Sequence, residues 1–243
     1  MRSTVDILGV NVDFVTMNQA LENIKVFLSE DKIHVIYTPN SEIMMDAQKY
    51  PALKDLLNRA DMLTADGAGV VLASKILKTA LPEKVSGFDL VKNSFSINFE
   101  KKPTYFFFGS KIGVAETAKS NVEKEFPGIV VKGCRDGFFS DAEEPEIINQ
   151  INSSGADILL VALGAPKQEK WISANRNNLK VKICIGVGGT LDVLAGFQTL
   201  APDFFRRHGL EWFYRLTKEP GRLIRMLKLP KFIIRVIIRR IFK

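Results

Sequence analysis

The chain has little cysteine and no long apolar run. Among its 243 residues are only two cysteines, Cys134 and Cys184, with neither a C-x-x-C spacing nor a neighbouring histidine. Such usage argues against a disulfide framework and favours a reducing, cytosolic compartment. No uncharged apolar stretch reaches the roughly 18 residues of a spanning helix, and the N-terminal stretch lacks the apolar core of a signal peptide. We therefore expect neither a spanning helix nor a secreted disulfide scaffold.

Several catalytic motifs are also missing. The sequence contains no H-E-x-x-H, no Walker A and no G-x-S-x-G. It has no D-x-D, the carboxylate pair with which many sugar-nucleotide enzymes hold a divalent metal. The two histidines, His34 and His208, are isolated and show no metal-ligand spacing. We therefore expect neither a bound metal nor a resident cofactor.

Positive charge is concentrated at the C-terminal end. The formal net charge is +7, yet residues 205–243 hold 12 Lys and Arg against two acidic residues, a balance of +10. Residues 1–204 hold 22 basic and 25 acidic residues, a balance of −3. This asymmetry predicts an anionic partner for the tail, either a membrane, a nucleic acid or a phosphorylated ligand.

Short apolar runs alternate with segments of helical period. The helical period is clearest in residues 17–29, 113–125 and 141–153. This alternation predicts βαβ units, hence an α/β fold with a Rossmann-like, mainly parallel sheet flanked by helices. Composition changes near residue 200, so we predict an α/β catalytic domain over 1–199 and a helical appendage over 200–243. The predicted strands cover residues 34–39, 104–109, 128–133, 157–164 and 181–188.

Polar side chains follow the predicted strands, where open α/β sheets bind ligands. Asp66 precedes the glycines of "ADGAG". It suits either a helix cap or turn or a general base that glycines leave accessible. Thr38 and Asn40 flank Pro39 after another strand, and they suit either a helix N-cap or contact with a ligand.

Two further loops carry candidate binding residues. "GVGGTLD" places Gly188 and Gly189 in a glycine turn with Asp192 behind them, although the G-x-G-x-x-G spacing is absent. The turn suits anion binding by backbone N–H groups, and Asp192 suits either a ribose or base contact or a first-turn carboxylate. "GAPKQEKW" places three polar residues, Lys167, Gln168 and Glu169, directly after a strand. That loop is either part of a site or an exposed helix start with Pro166 at its first position.

The tail predicts a basic amphipathic helix. After Pro220 its isoleucines and leucines gather on one side of a helical wheel, and its Lys and Arg residues gather opposite. Such a helix lies on an anionic membrane surface, which we expect residues 220–243 to contact. The alternative is a terminal helix packed on the protein's own core. We also expect Pro230 to kink or divide the helix.

Three tail arginines have a spacing suited to a diphosphate. Arg215 and Arg222 are seven residues apart, and Arg225 follows three further on. On a continuous helix these positions share a face, and guanidinium groups bind phosphate oxygens in pairs. A solvated charged face is the alternative.

Taken in order along the chain, these motifs resemble the WecG/TagA/CpsF family of bacterial glycosyltransferases. The resemblance covers nearly the whole chain and includes "TPN", "ADGAGVV", "GAPKQEKW", "GVGGTLDVLAG" and "GLEWFYRLTKEPGRLIRM". It is strongest toward the members that build the linkage unit of wall teichoic acid. The resemblance implies inverting transfer of N-acetylmannosamine from its UDP form to undecaprenyl-diphosphate-linked N-acetylglucosamine. It also implies a peripheral enzyme at the cytoplasmic face of the membrane.

The family resemblance also implies roles for individual residues. Asp66 is the candidate general base and Thr38 lies beside it in the active site. Asn40, Gln168 and Asp192 belong to motifs that line the sugar-nucleotide pocket, with Gly188 and Gly189. The tail arginines, Arg215, Arg222 and Arg225, are expected to close over the diphosphate.

Other functions compete with this interpretation. A family member with a different UDP-sugar donor, making another surface polysaccharide, is the nearest alternative. A nicotinamide-dependent oxidoreductase would explain the glycine loops but not the basic tail. Nucleic-acid binding would use the tail for phosphate contacts, but its regular apolar face favours lipid, so we expect no nucleic-acid partner. Away from a membrane, an apolar tail face favours self-association, so a homo-oligomer is a further expectation.

Overall fold

A computed structural model describes residues 2–99, 102–218, 221 and 226–242. A short 3₁₀ turn, Asp141–Glu143, precedes one of the helices. The strands in these residues are β1 (Thr4–Ile7), β2 (Val10–Asp13), β3 (His34–Tyr37), β4 (Met62–Leu63), β5 (Thr104–Gly109), β6 (Val130–Arg135), β7 (Ile158–Ala162) and β8 (Ile183–Gly186). The helices are α1 (Met17–Ser29), α2 (Ser41–Lys49), α3 (Pro51–Asn58), α4 (Ala68–Ile76), α5 (Gly87–Ser96), α6 (Val114–Glu125), α7 (Glu144–Ser154), α8 (Lys167–Asn175), α9 (Thr190–Leu194), α10 (Asp203–Arg207), α11 (Glu211–Lys218) and α12 (Lys228–Ile241).

The chain forms two compact units. Unit 1 contains Met1–Asn18, Thr38–Ser86 and Leu200–Lys243, and unit 2 contains Gln19–Tyr37 and Gly87–Thr199. The tail is therefore part of the same compact unit as the loops that carry Thr38 and Asp66. The predicted domain boundary at residue 200 marks a change from α/β to helical structure. This division into two domains stays a prediction.

A parallel sheet forms the core of unit 2. Its strands lie in the order β3, β8, β7, β5, β6, and each neighbouring pair is parallel. Every residue of β3, β7 and β8 is buried, as expected for parallel strands covered on both faces. The predicted α/β class with a mainly parallel sheet is confirmed. The predicted helices are present as well, as α1, α6 and α7.

Unit 1 begins with a hairpin that the strand pattern does not predict. Strands β1 and β2 are antiparallel, with Ile7 opposite Val10. The two residues between them, Leu8 and Gly9, have φ angles of 55° and 84°. A two-residue hairpin needs positive φ at both positions, and Asn-Gly or Asp-Gly is its usual signal. A leucine at the first position conceals this turn from sequence reasoning.

The C-terminal helix packs on unit 1 through two side chains. Phe232 and Val236 of α12 are both completely buried, and the helix contacts α2 and α4. Pro230 lies in the first turn of α12, where its missing N–H breaks no intrahelical bond. For the face of α12 that carries Phe232 and Val236, the interpretation of the tail as a helix packed on the protein's own core is therefore correct.

A second apolar face of α12 stays exposed. The exposed fractions are 41% for Ile237, 49% for Ile238 and 68% for Ile241, and Phe242 after the helix is 85% exposed. The predicted apolar side of the tail is therefore split. One stripe packs on unit 1, and the other is open to solvent. None of the helices in the described part of the chain is long and apolar enough to cross a membrane.

Phe232→Ala should lower the free energy of unfolding by about 3–5 kcal/mol, because it leaves a cavity between α12 and its neighbours. Ile234→Ala is the matched control, since Ile234 is on the same helix and 56% exposed. That change should cost no more than about 0.5 kcal/mol. Urea unfolding followed by circular dichroism measures both. Equal losses in the two variants would contradict the packing described here.

Candidate active site

In unit 1 a backbone hydrogen bond joins the two loops that carry the first group of candidates. The N–H of Asp66 donates to the carbonyl of Pro39 at 3.2 Å. Thr38 and Asn40 flank that carbonyl in the chain. Thr38 and Asp66 are half-buried, and Asn40 is exposed. The fold thus brings Asp66 close to the segment of Thr38 and Asn40, which precede it by 28 and 26 positions.

The Asp66 loop is fixed from its other side as well. The Thr64 hydroxyl donates to the carbonyl of Val85 at 2.9 Å, and the N–H of Val85 donates to the carbonyl of Ala65 at 3.0 Å. These bonds hold the backbone immediately before Asp66. A carboxylate on such a loop is preorganised, as a catalytic base requires.

Asp66 does not cap the following helix. Helix α4 begins at Ala68, and Gly67 holds the N-cap position with φ of 93°. The cap interpretation of Asp66 is therefore wrong, and the reason is the positive φ, which glycine adopts at no steric cost. Asn40 does cap a helix. Its side-chain oxygen accepts hydrogen bonds from the N–H groups of Glu42 and Ile43, at 2.9 and 3.2 Å.

A pocket in unit 1 includes Asp66 in its wall. Three helices begin at it, because Ser41, Ala68 and Glu211 all line it. Helix N-termini stabilise negative charge. The pocket's carboxylates, from Glu42, Asp66 and Glu211, lie at or directly before these N-termini. Such carboxylates act as hydrogen-bond acceptors or proton acceptors.

Glycines and apolar side chains complete the pocket. Trp212, Met226 and Leu229 supply apolar wall, and glycines lie between the carboxylates. A Cβ at Gly69 would lie 2.3 Å from the Ser41 hydroxyl oxygen and 2.8 Å from a Leu229 methyl carbon. A side chain at position 69 would therefore have to displace the Ser41 hydroxyl and the end of the Leu229 side chain. A pocket with an aromatic wall and a few polar groups is typical of small-molecule sites.

Ion pairs tie the tail to the rest of unit 1. The Lys228 ammonium contacts both oxygens of Asp46, at 2.7 and 2.8 Å, and Arg239 contacts Asp6 at 2.6 Å. Lys84 pairs with Glu211 at the pocket itself. Lys228 and Arg239 thus pair with carboxylates of the protein, whereas Lys231, Arg235 and Arg240 are exposed.

In unit 2 the second group of candidates surrounds the end of β8. The Gln168 side-chain oxygen accepts a hydrogen bond from the N–H of Gly188 at 2.9 Å. Gly188 has φ of 53°, and Gly189 is the exposed N-cap residue of α9. Asp192 lies in the first turn of α9 and is half-buried. Gln168 and the glycine turn therefore form one connected structure at the carboxyl end of a parallel strand, where such sheets bind ligands.

Helix α8, which carries Gln168, begins one residue later than predicted. Helix α8 runs from Lys167, so Pro166 precedes it rather than holding its first position. Gln168 is only 5% exposed and its neighbour Glu169 only 3%. Burial raises the pKa of the Glu169 carboxyl well above its usual range, although the Gln168 amide and a backbone N–H oppose this.

Residues 5–243 match the profile of the glycosyl transferase WecG/TagA/CpsF family. The chain belongs to this family. It is therefore a glycosyltransferase, and the resemblance drawn from its motifs is confirmed.

Named relatives agree over most of the chain. An N-acetylglucosaminyldiphosphoundecaprenol N-acetyl-beta-D-mannosaminyltransferase of Bacillus spizizenii is 37% identical over 212 residues, which are 87% of this chain and 81% of the relative. A protein of the same name from Staphylococcus aureus strain MRSA252 is 34% identical over 234 residues, or 96% and 91% of the two chains. The chain is similar to these transferases along almost its full length.

The tail arginines of the transferase are only partly described. Arg215 lies in α11, and Arg222 and Arg225 lie outside the described residues. Their role at the diphosphate stays a prediction. Within the described residues no three His, Cys, Asp or Glu side chains cluster so as to hold a metal ion.

Sequence reasoning missed three residues of the first group and gave Glu169 of the second group no role of its own. Glu42, Glu211 and Trp212 line the pocket with Asp66, and Glu169 contacts Gln168. Glu211, Trp212 and Glu169 stand within motifs that carry the family resemblance. No local spacing distinguishes them, because each gains its position from a contact distant in sequence or from burial.

The raised pKa of Glu169 predicts how stability depends on pH. Above its ordinary pKa of 4.5 the carboxyl ionises in the unfolded chain but stays neutral in the folded protein. The folded state then binds more protons, so the free energy of unfolding falls as pH rises from about 4.5 toward the raised pKa.

Glu169→Gln removes this titration and is the comparison variant. The free energy of unfolding of Glu169→Gln minus that of wild type should increase over that pH range and level off above it. Urea midpoints measured at several pH values provide the test. A constant difference between the two proteins would show that burial does not hold Glu169 neutral.

Proposed function

We propose that this transferase moves N-acetylmannosamine from UDP-N-acetylmannosamine to undecaprenyl-diphosphate-linked N-acetylglucosamine. The observation that carries the proposal is the position of Asp66, on a doubly anchored loop in the wall of a pocket. The names of the relatives give the sugar transferred and the lipid-linked acceptor. Their match over most of the chain supports the same reaction here, as a step in wall teichoic acid linkage-unit synthesis.

The Asp66 carboxylate acts as the general base. It takes the proton of an acceptor hydroxyl while that oxygen attacks the anomeric carbon of the donor, and the bond from that carbon to the UDP oxygen breaks. Attack from the face opposite UDP inverts the anomeric configuration, so an α-linked donor gives a β-linked product. Thr38, beside the anchoring carbonyl, helps orient the reacting groups.

The pocket around Asp66 suits the sugar of the acceptor. Its carboxylates accept hydrogen bonds from sugar hydroxyls, and Trp212 offers an apolar surface for a sugar ring. Glu42 and Asp66 add negative charge that disfavours a bare diphosphate, whereas Glu211 is paired with Lys84 and the helix N-termini offset part of that charge. This chemistry supports an acceptor subsite for a hydroxyl-rich ring.

The donor binds at the glycine turn of unit 2. Gly188 and Gly189 expose backbone at a strand end, and Gln168 and Asp192 supply polar side chains there. Departing UDP needs positive charge, and the tail arginines, Arg215, Arg222 and Arg225, are proposed to supply it. No metal or resident cofactor enters the proposal.

The tail holds the enzyme at the cytoplasmic face of the membrane. Exposed Ile237, Ile238 and Ile241 lie on a helix whose Lys231, Arg235 and Arg240 are also exposed. Apolar and basic groups together favour an anionic lipid surface, where a polyprenyl-linked acceptor is held. Self-association through the same apolar stripe is proposed for the enzyme away from lipid.

Asp66→Asn should lower kcat by about 10²–10⁴-fold, the usual contribution of a general base, and leave the donor KM nearly unchanged. Turnover is measured as UDP release with a short-chain acceptor, and wild-type turnover should survive EDTA. Asp55→Asn is the control, because Asp55 is exposed on α3 in the same unit. An Asp66→Asn enzyme as fast as Asp55→Asn would remove Asp66 from the chemistry.

Changing Ile237 and Ile238 to serine should lower partitioning onto anionic vesicles by at least about tenfold, because their apolar surface no longer enters lipid. Turnover on a soluble short-chain acceptor should persist. Val26→Ser is the control, since Val26 is 52% exposed on α1. Vesicle flotation beside a DNA-binding assay gives the readout. Unchanged flotation, or binding to DNA alone, would refute the membrane assignment.

A further inference from the structure

A buried carboxyl group lies beside the proposed donor site without touching solvent. Glu169 is 3% exposed, and its Oε2 has no hydrogen-bond partner among the described residues. Its Oε1 accepts a hydrogen bond from Nε2 of Gln168 at 2.9 Å. A buried acid with one oxygen left without a hydrogen-bond partner is costly unless it has a function.

The contacts of Gln168 fix which way its amide points. The N–H of Gly188 is only a donor, so the Gln168 oxygen must face it. The amide nitrogen then faces Glu169, which supplies the acceptor on the opposite side. Rotating the amide by half a turn would set oxygen against the Glu169 oxygen and nitrogen against an N–H. The Gly188 N–H therefore fixes the orientation of the amide, and Glu169 accepts from the nitrogen that this orientation presents.

The atoms packed around Gln168 restrict its side chain to this arrangement. A Cβ at Gly186, the last residue of β8, would lie 2.9 Å from Nε2 of Gln168. The hydroxyl of Tyr37 donates to the backbone carbonyl of Glu169 at 3.2 Å and fixes the first turn of α8. The amide of Gln168 thus spans from α8 to the turn that follows β8.

The raised pKa of Glu169 is compatible with this arrangement. Burial favours the protonated carboxyl, which keeps a carbonyl oxygen that accepts from the Gln168 amide.

We propose that Glu169 is a positioning residue for the sugar-nucleotide donor, acting through Gln168 on the glycine turn at Gly188. The inference rests on the proposed function, in which Gln168 and that turn bind the donor. Glu169 itself touches no substrate, because it is buried behind Gln168.

Glu169→Met removes the acceptor and keeps a similar length. It should raise the donor KM about tenfold, the effect of one lost hydrogen bond, with the acceptor KM unchanged. Glu169→Gln keeps a neutral carbonyl acceptor and should stay within about twofold of wild type. Glu169→Asp shortens the side chain by one methylene and moves the acceptor away from Gln168, so it should behave like Glu169→Met. The aspartate variant provides the same readout if the methionine variant does not fold.

Asn175→Leu is the matched structural control. Asn175 is 6% exposed on the same helix, and its amide donates to Glu144 and to the carbonyl of Trp171. Its loss should lower stability without changing the donor KM. A rise in donor KM equal to that of Glu169→Met would mean that general destabilisation of α8 explains the effect, and the proposal would fall.

Gln168→Ala distinguishes a failure of the donor-site assignment from a failure of the positioning role of Glu169. If it leaves the donor KM and the affinity for UDP, measured by calorimetry, unchanged, the donor-site assignment itself fails. If it raises the donor KM while Glu169→Met and Glu169→Asp do not, the positioning role alone is overturned. The proposal expects both effects, and expects Glu169→Met to add nothing further in a Gln168→Ala background.

Discussion

The burial of Phe232 and Val236 is the interaction on which the proposed acceptor pocket depends. These two side chains hold α12 against α2 and α4, the helices whose N-termini line the pocket. Leu229, one turn earlier, reaches the pocket wall because Gly69 leaves room for it. A helix with two apolar stripes thus lines the pocket through one stripe and leaves the other exposed. We propose that the exposed stripe contacts lipid, which would place membrane contact and the proposed acceptor pocket on one segment.

The charges of the two units suit different parts of one reaction. In unit 1, carboxylates and a tryptophan line the pocket of the proposed base, where we propose that the acceptor sugar binds. In unit 2, a glycine turn held by Gln168 lies at the end of a parallel strand, where we propose that the nucleotide sugar binds. An inverting transfer needs an acceptor held beside a base and a leaving group held by positive or dipolar groups. The tail arginines are the remaining cationic component of this proposal.

Much of the fold follows from local pattern, whereas the contacts of the site do not. Buried parallel strands give continuous apolar runs, so β3, β5, β7 and β8 are predictable. The β1–β2 hairpin escapes because Leu8 adopts a positive φ. Asp66 and Gln168 stand out as polar residues after strands. Glu211 and Trp212 do not, because they reach the pocket through helix ends that only tertiary structure brings together, and the role proposed for Glu169 depends on its burial. The split of the tail into a packed and an exposed stripe likewise depends on which partners it meets.

The transfer reaction itself tests the central claim most directly. Wild-type enzyme is incubated with UDP-N-acetylmannosamine and a short-chain lipid-diphosphate-N-acetylglucosamine, and the product is identified by mass spectrometry and proton NMR. The account predicts an acceptor enlarged by one N-acetylhexosamine in β linkage, with one UDP released for each. Release of UDP without an enlarged acceptor, or transfer only from a different UDP-sugar, would contradict it.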